Sequence, residues 1–184
     1  MKKSYLIVLA VAVIIIFYGW SAYNRFVTLS ENVDGQWAQV ETQYQRRFDL
    51  IPNLVESVKG IFNQEKEVFG KLADARSKYA GSRNVEDRVR AANEVETALS
   101  RLLVVVENYP QLRSSESVTT LMAQLEGAEN RVSVERGRYN DSVRAFNTAT
   151  KRFPANLLAG LFGFEEKIYF ESEEGSENAP AVKF

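Results

Sequence analysis

FVTLSENVDGQWAQVETQYQRRFDLIPNLVESVKGIF, residues 26–62, places apolar side chains at Phe26, Leu29, Val33, Trp37, Val40, Tyr44, Phe48, Ile51, Val55, Val58 and Phe62. Every step is three or four residues, the period of an α-helix buried along one stripe. The stripe continues through Phe69, Leu72 and Tyr79, so the pattern predicts one long first helix ending at Gly81. Pro52 removes a backbone donor and crowds the carbonyl of Phe48, which predicts a kink at Asp49 to Pro52 and not a stop. Trp37 falls in phase with the stripe and reads as core. Of Arg46 and Arg47, one must lie away from the core, and it reads as an ordinary solvated charge.

Upstream, residues 5–23 contain no charged side chain. About 19 residues at ~1.5 Å each give a helix of roughly 28 Å, enough to cross a bilayer's hydrocarbon core once. Tyr5, Leu9, Ile14 and Phe17 lie in this membrane span. Trp20 and Tyr23 close it with the aromatic rings that suit a membrane–water interface. A cleaved signal peptide is the rival reading, but its apolar run should be shorter and end in small residues, and Gly19 and Ser21 offer only one poor cleavage site. Lys2 and Lys3 precede the span while Arg25 alone follows closely, an asymmetry that favours a cytoplasmic N-terminus and an extracytoplasmic bundle.

Downstream, Asn84 caps a second helix with Glu86 and Asp87 in its first turn, where acids favour the helix dipole. Its stripe is Val85, Val89, Ala92, Val95, Leu99, Leu102, Val106 and Tyr109, ended by Pro110. Leu103, Val104 and Val105 make the end apolar on more than one side, as for a helix between two neighbours or against another subunit. Ser114, Ser115 and Ser117 can cap a third helix with stripe Val118, Leu121, Leu125, Ala128, Val132, Tyr139, Val143 and Phe146, running to Phe153. After Pro154, Leu157, Leu158, Leu161, Phe162 and Phe164 predict a short last helical segment, and Ile168, Tyr169 and Phe170 an extended strap. The expected architecture is all-α: an N-terminal transmembrane anchor (residues 1–24), then a four-helix-bundle-like domain of three long helices and a short C-terminal one (25–170). Residues 171–184, rich in Glu, Ser and Gly, read as a disordered acidic tail.

The 184 residues contain neither cysteine nor histidine, and the formal net charge is −1. Disulfides, thiol nucleophiles, Ser-His triads and imidazole or thiolate metal ligation are thereby excluded, and no cofactor is expected. Basic residues are interleaved with acids, so no nucleic-acid partner is expected either. Beside the stripes run two polar lines. Asp49, Asn53 and Glu56 occupy one face of the first helix; Glu129, Arg136, Asn140, Arg144 and Asn147 repeat at helical spacing on the third. Facing each other, they would form a network setting Asp49 and Glu56 within reach of Arg136 or Arg144. The alternatives are a groove for a small ligand or peptide, or a carboxylate-dependent enzyme. Two carboxylates without a metal or histidine point only weakly to catalysis.

The chain resembles the LemA family of bacterial membrane proteins through Tyr23-Asn24, Trp37-Ala38-Gln39-Val40 and Arg46-Arg47, and through the specific block Asp49-Leu50-Ile51-Pro52-Asn53-Leu54-Val55. Further matches are Val58-Lys59-Gly60, Ala75-Arg76, Glu107-Asn108-Tyr109-Pro110, Glu129-Asn130-Arg131, Tyr139-Asn140, Phe153-Pro154, Gly163-Phe164 and Tyr169-Phe170. Phe146-Asn147 departs from the more usual Tyr-Asn and lacks that hydroxyl. The resemblance covers roughly residues 20 to 170. It implies a single anchor, an antiparallel bundle of long helices and residence at the bacterial cytoplasmic membrane, and it implies no reaction; some relatives resemble membrane-assembly factors, including ones associated with magnetosome membranes. The expectation is a single-pass scaffold or assembly protein, not an enzyme. Its partners would be the lipid bilayer, further copies in a homo-oligomer and another membrane or envelope protein.

Overall fold

The computed structural model describes residues 2–59, 66–109 and 115–170. Within them lie five helices and no strand: α1 (Lys2–Lys59), α2 (Lys66–Gly81), α3 (Val85–Asn108), α4 (Glu116–Lys151) and α5 (Ala155–Phe162). The acidic tail and Ser114, expected from the sequence as a helix cap, fall outside the described residues. Helix α1 continues through Pro52, as the pattern predicts.

One expectation needs correction: the first helix is not a single rod through Gly81. In a straight helix Tyr79 would stand roughly 46 Å beyond Phe48, yet their ring centroids are 4.8 Å apart, and Tyr79 also meets Tyr44 at 5.7 Å. Helix α2 therefore runs back along α1. The apolar period stays in phase across the reversal, and period alone carries no information about direction.

Residues 5–17 of α1 leave their apolar side chains exposed on every side, with Tyr5 75%, Leu9 62%, Ile14 67% and Phe17 67% accessible. Among the described residues this is the one helix long and apolar enough to cross a membrane. Farther along, one buried line runs through Val33, Trp37, Val40, Tyr44, Arg47, Ile51, Leu54 and Val58, with Phe48 buried beside it. The line's steps alternate four and three, a seven-residue repeat of the coiled-coil kind. Leu54 is fully buried and Val55 only partly, the reverse of the expected stripe.

Packing divides the described residues into two units, one within 2–39 and 136–169, the other within 40–135 together with Phe170. In the first, Ala22 and Phe26 of α1, Ala149 of α4 and Ala159 of α5 form a core flanked by Leu29, Ala155, Leu158 and Phe164. Trp37 packs edge-on against Tyr139 at 5.4 Å, confirming its core role. Helix α5 ends at Gly163, whose φ of 73° is the left-handed conformation open to a residue without Cβ. That turn brings Phe164 back onto Tyr23 and Phe26, at 5.8 and 5.2 Å.

In the second unit the α2–α3 turn is capped as expected, the Asn84 side-chain oxygen accepting from the Asp87 amide at 2.7 Å. Ala91, Ala92, Val95, Ala98, Leu99, Leu102 and Val106 form the buried face of α3, its three alanines leaving room for close helix approach. Helix α4 adds Val118, Leu125, Ala128 and Val132. It stops at Lys151, two residues short of the expected Phe153.

Candidate functional site

Arg47 is the buried charge of the second unit. The repeat that buries Tyr44, Ile51 and Leu54 puts a guanidinium in the same register, and only 6% of the residue is accessible. A cation taken from water must find counter-ions. Arg47 Nη1 lies 3.6 Å from Glu96 Oε1 of α3 and in close contact with Glu129 Oε2 of α4. The Tyr44 hydroxyl donates to the same Glu96 oxygen at 3.0 Å. Three helices are thus tied through one side chain, while its neighbour Arg46 is exposed. The arginine that lies away from the core is thus Arg46, and Arg47 is the buried one.

Beside this cluster, Arg47, Glu96 and Glu129 join Ser100, Leu103, Thr119, Met122, Glu126 and Asn130 in lining a groove of about 630 Å³. It presents one guanidinium against three carboxylates. Arg47 Nε is buried and has no hydrogen-bond partner among the described residues. Such a groove suits a ligand that brings cationic or hydrogen-bond-donating groups together with an apolar body, which Leu103 and Met122 would contact. No cluster of acids among the described residues could hold a metal ion.

The polar lines fare differently from residue to residue. Asp49, Asn53 and Glu56 are exposed, and Asp49 accepts from Gln45 of its own helix at 2.8 Å. Arg144 is exposed and donates to Asp141 at 2.7 Å. Arg136 and Asn140 are half-buried. Glu129 meets Arg47, the arginine left out of the lines.

Asn147, the last member, is buried in the first unit and acts on the strap. Its side-chain amide donates to the Lys167 carbonyl at 2.8 Å, and its oxygen accepts from the Lys167 amide at 2.9 Å. Tyr139 adds a bond from its hydroxyl to the Ile168 carbonyl, 2.9 Å, and Lys167 Nζ reaches Asp34 at 3.1 Å. The strap is held by its backbone: the side chains of Ile168 and Tyr169 stay exposed, and Phe170 alone of the three is buried. Burial, with a smaller contribution from Asp34, pushes the Tyr139 phenol up to about 12; burial alone does the same to Tyr79.

Sequence comparison agrees with this architecture. The chain aligns over 181 residues at 26% identity with "Magnetosome protein MamQ 1" and "Magnetosome protein MamQ 2" of Paramagnetospirillum magneticum, covering 84% of this chain and 66% of each relative. The same figures hold for "Magnetosome protein MamQ" of Magnetospirillum gryphiswaldense. The chain spans just under two thirds of the length of these curated relatives. The LemA family profile matches residues 36–184, through α1's Arg47 to the end of the chain. With most of its length matched, the chain belongs to the LemA family.

Proposed function

We propose that the protein is a single-pass scaffold of the bacterial cytoplasmic membrane, acting by protein–protein contact and, first of all, by contact with further copies of itself. The observation that carries this reading is the outer face of α3. Its inner face is fully buried at Leu99 and Leu102, yet Val104 remains 56% accessible, with Leu103 and Val105 half-buried beside it. Apolar surface left open on a helix of an anchored chain favours an interface. Chains confined to one plane reach a high effective concentration, so modest contacts suffice. Relatives named as magnetosome proteins fit a role at a membrane. The reading assigns the chain no reaction; Glu96 and Glu129 serve Arg47 as counter-ions.

Light scattering on the detergent-solubilised full chain tests this. The expected result is a mass above the 20.8 kDa monomer that Val104→Glu reduces; a monomer purified without companions refutes the scaffold. We place the bundle outside the cytoplasm, from Lys2 and Lys3. Because the chain has no cysteine, Thr120→Cys supplies a unique exposed thiol on α4. An impermeant maleimide should label it without breaching the cytoplasmic membrane, and labelling only after breach reverses the orientation. A second reading, an adaptor that binds a small cationic ligand or peptide, is favoured by the groove beside Arg47. Spermidine should then raise the melting temperature of the wild type more than that of Glu126→Gln, and equal shifts count against it.

A further inference from the structure

We propose that α5, with Phe153 before it, lies in the interfacial layer of the bilayer that α1 crosses, giving the chain a second hold on the membrane. This rests on the reading of α1 as a span. From Pro154 to Phe164 the sequence is PANLLAGLFGF, without a charged side chain. Ala159 is buried against Ala22 and Phe26, and Leu158 is half-buried beside it. The opposite side carries Leu157, 66% accessible, and Leu161, 76%, four residues apart and hence on one face. Phe153 adds a ring 81% accessible. A surface helix facing water should show several polar groups there; this one offers Asn156 alone.

Its location supplies the occupant. Helix α5 packs on α1 at Ala22, Tyr23 and Phe26, and Phe162 meets the Tyr23 ring at 5.2 Å. Ala22 and Phe26 follow Trp20 by two and six residues, about 3 and 9 Å along a helix axis. Helix α5 therefore sits within about two helical turns of the ring that marks the interfacial level, the zone where an amphipathic helix can lay an apolar face. Trp20, 65% accessible, marks the same level with a ring suited to the interface. The flanking charges allow this placement. Arg25 and Arg152 are exposed and suit anionic headgroups, Glu166 is paired with Lys151 at 2.6 Å, and Glu165 is left facing water.

Because the anchor alone would keep the chain on vesicles, the test must read depth and not binding. The full chain is reconstituted into phosphatidylcholine–phosphatidylglycerol vesicles, carrying one environment-sensitive fluorophore at Leu161→Cys, Ile14→Cys or Thr120→Cys. Nitroxide groups are placed on the lipids near the headgroup or at mid-chain. The fluorophore at 161 should be blue-shifted and quenched more by the shallow nitroxide, that at 14 more by the deep one, and that at 120 by neither. Leu157→Cys should repeat the pattern of 161, guarding against a local effect of one label. Quenching at 14 without quenching at 161 and 157 overturns the interfacial helix and leaves the anchor standing. A blue shift at 161 without quenching does the same, since protein would then be covering that face. Absence of quenching at 14 overturns the span reading itself.

Discussion

Replacing Arg47 with Met should destabilise the protein while the same change at Arg46 should not, although the two residues are adjacent. Breaking a fully buried ion pair by deleting one partner costs ~3–5 kcal/mol, because the remaining charge stays buried alone. Here the burial is graded: side-chain accessibility is 7% for Arg47, 17% for Glu96 and 40% for Glu129. Glu129 can rehydrate where it stands, so its share falls toward the small value of an exposed pair. Glu96 cannot do so as readily, but it keeps the Tyr44 hydroxyl at 3.0 Å. The expected loss is therefore about 2–3 kcal/mol, which lowers the melting temperature by roughly 5–10 °C in a chain of this size. Arg46, exposed, should stay within about 0.5 kcal/mol. Adding Glu96→Gln to Arg47→Met should recover about 1–2 kcal/mol, the coupling expected of side chains in one network. Thermal unfolding of the detergent-solubilised chain by far-ultraviolet circular dichroism reads all three variants against the wild type. Equal melting temperatures for Arg46→Met and Arg47→Met, or a double variant less stable than Arg47→Met, would refute the buried-cation account.

Raised phenol pKa values make the fold sensitive to alkali. Tyr79 and Tyr139 ionise near 12 when folded and near 10 when unfolded, so the unfolded chain loses these protons first. Stability should hold below pH 10 and fall from there through about 12, and tyrosinate absorbance should show late transitions from these two phenols. Tyr79→Phe and Tyr139→Phe should each remove one late transition. Asn84→Ala should cost about 1 kcal/mol in denaturation by removing the cap of α3, and a change below ~0.3 kcal/mol would show the cap to be idle. Gly163→Ala meets no atom within 4 Å, so its cost should be backbone strain of about 1 kcal/mol; a larger loss would point to contacts at this turn beyond the φ of 73°.

What the sequence revealed follows from which signals are local. Helical period, the Asn84 cap and the break at Pro154 depend on neighbours a few residues away, and α3 starts at its cap while α4 ends close to that proline. The direction of α2 depends on which face of α1 it returns to, and phase cannot encode that. Arg47 was hidden by chemistry: its three- and four-residue spacing from Tyr44 and Ile51 marks a core position, but a guanidinium there makes sense only once Glu96 and Glu129 are known to converge from helices far along the chain. Asn147 was flagged as polar at helical spacing. Its strap partner was invisible, because any residue can offer the backbone amide and carbonyl that Lys167 presents.

The pairing of Asp34 with Lys167 joins residues 133 positions apart. A ribosome adding ~5–20 residues per second needs on the order of ten seconds to make that much chain. For most of that interval Phe26 and Trp37 have been synthesised, but Tyr139, Ala149 and Phe164, against which they end up packed, have not. The α2–α3 hairpin, local in sequence, can form early and begin to cover Tyr44 and Phe48 through Tyr79. The part of α1 nearest the apolar run therefore waits longest, and something must shield its rings from other nascent chains until α4 arrives. Polypeptides truncated before Tyr139 would keep that surface uncovered for their whole lifetime and should be cleared by proteases or held by chaperones.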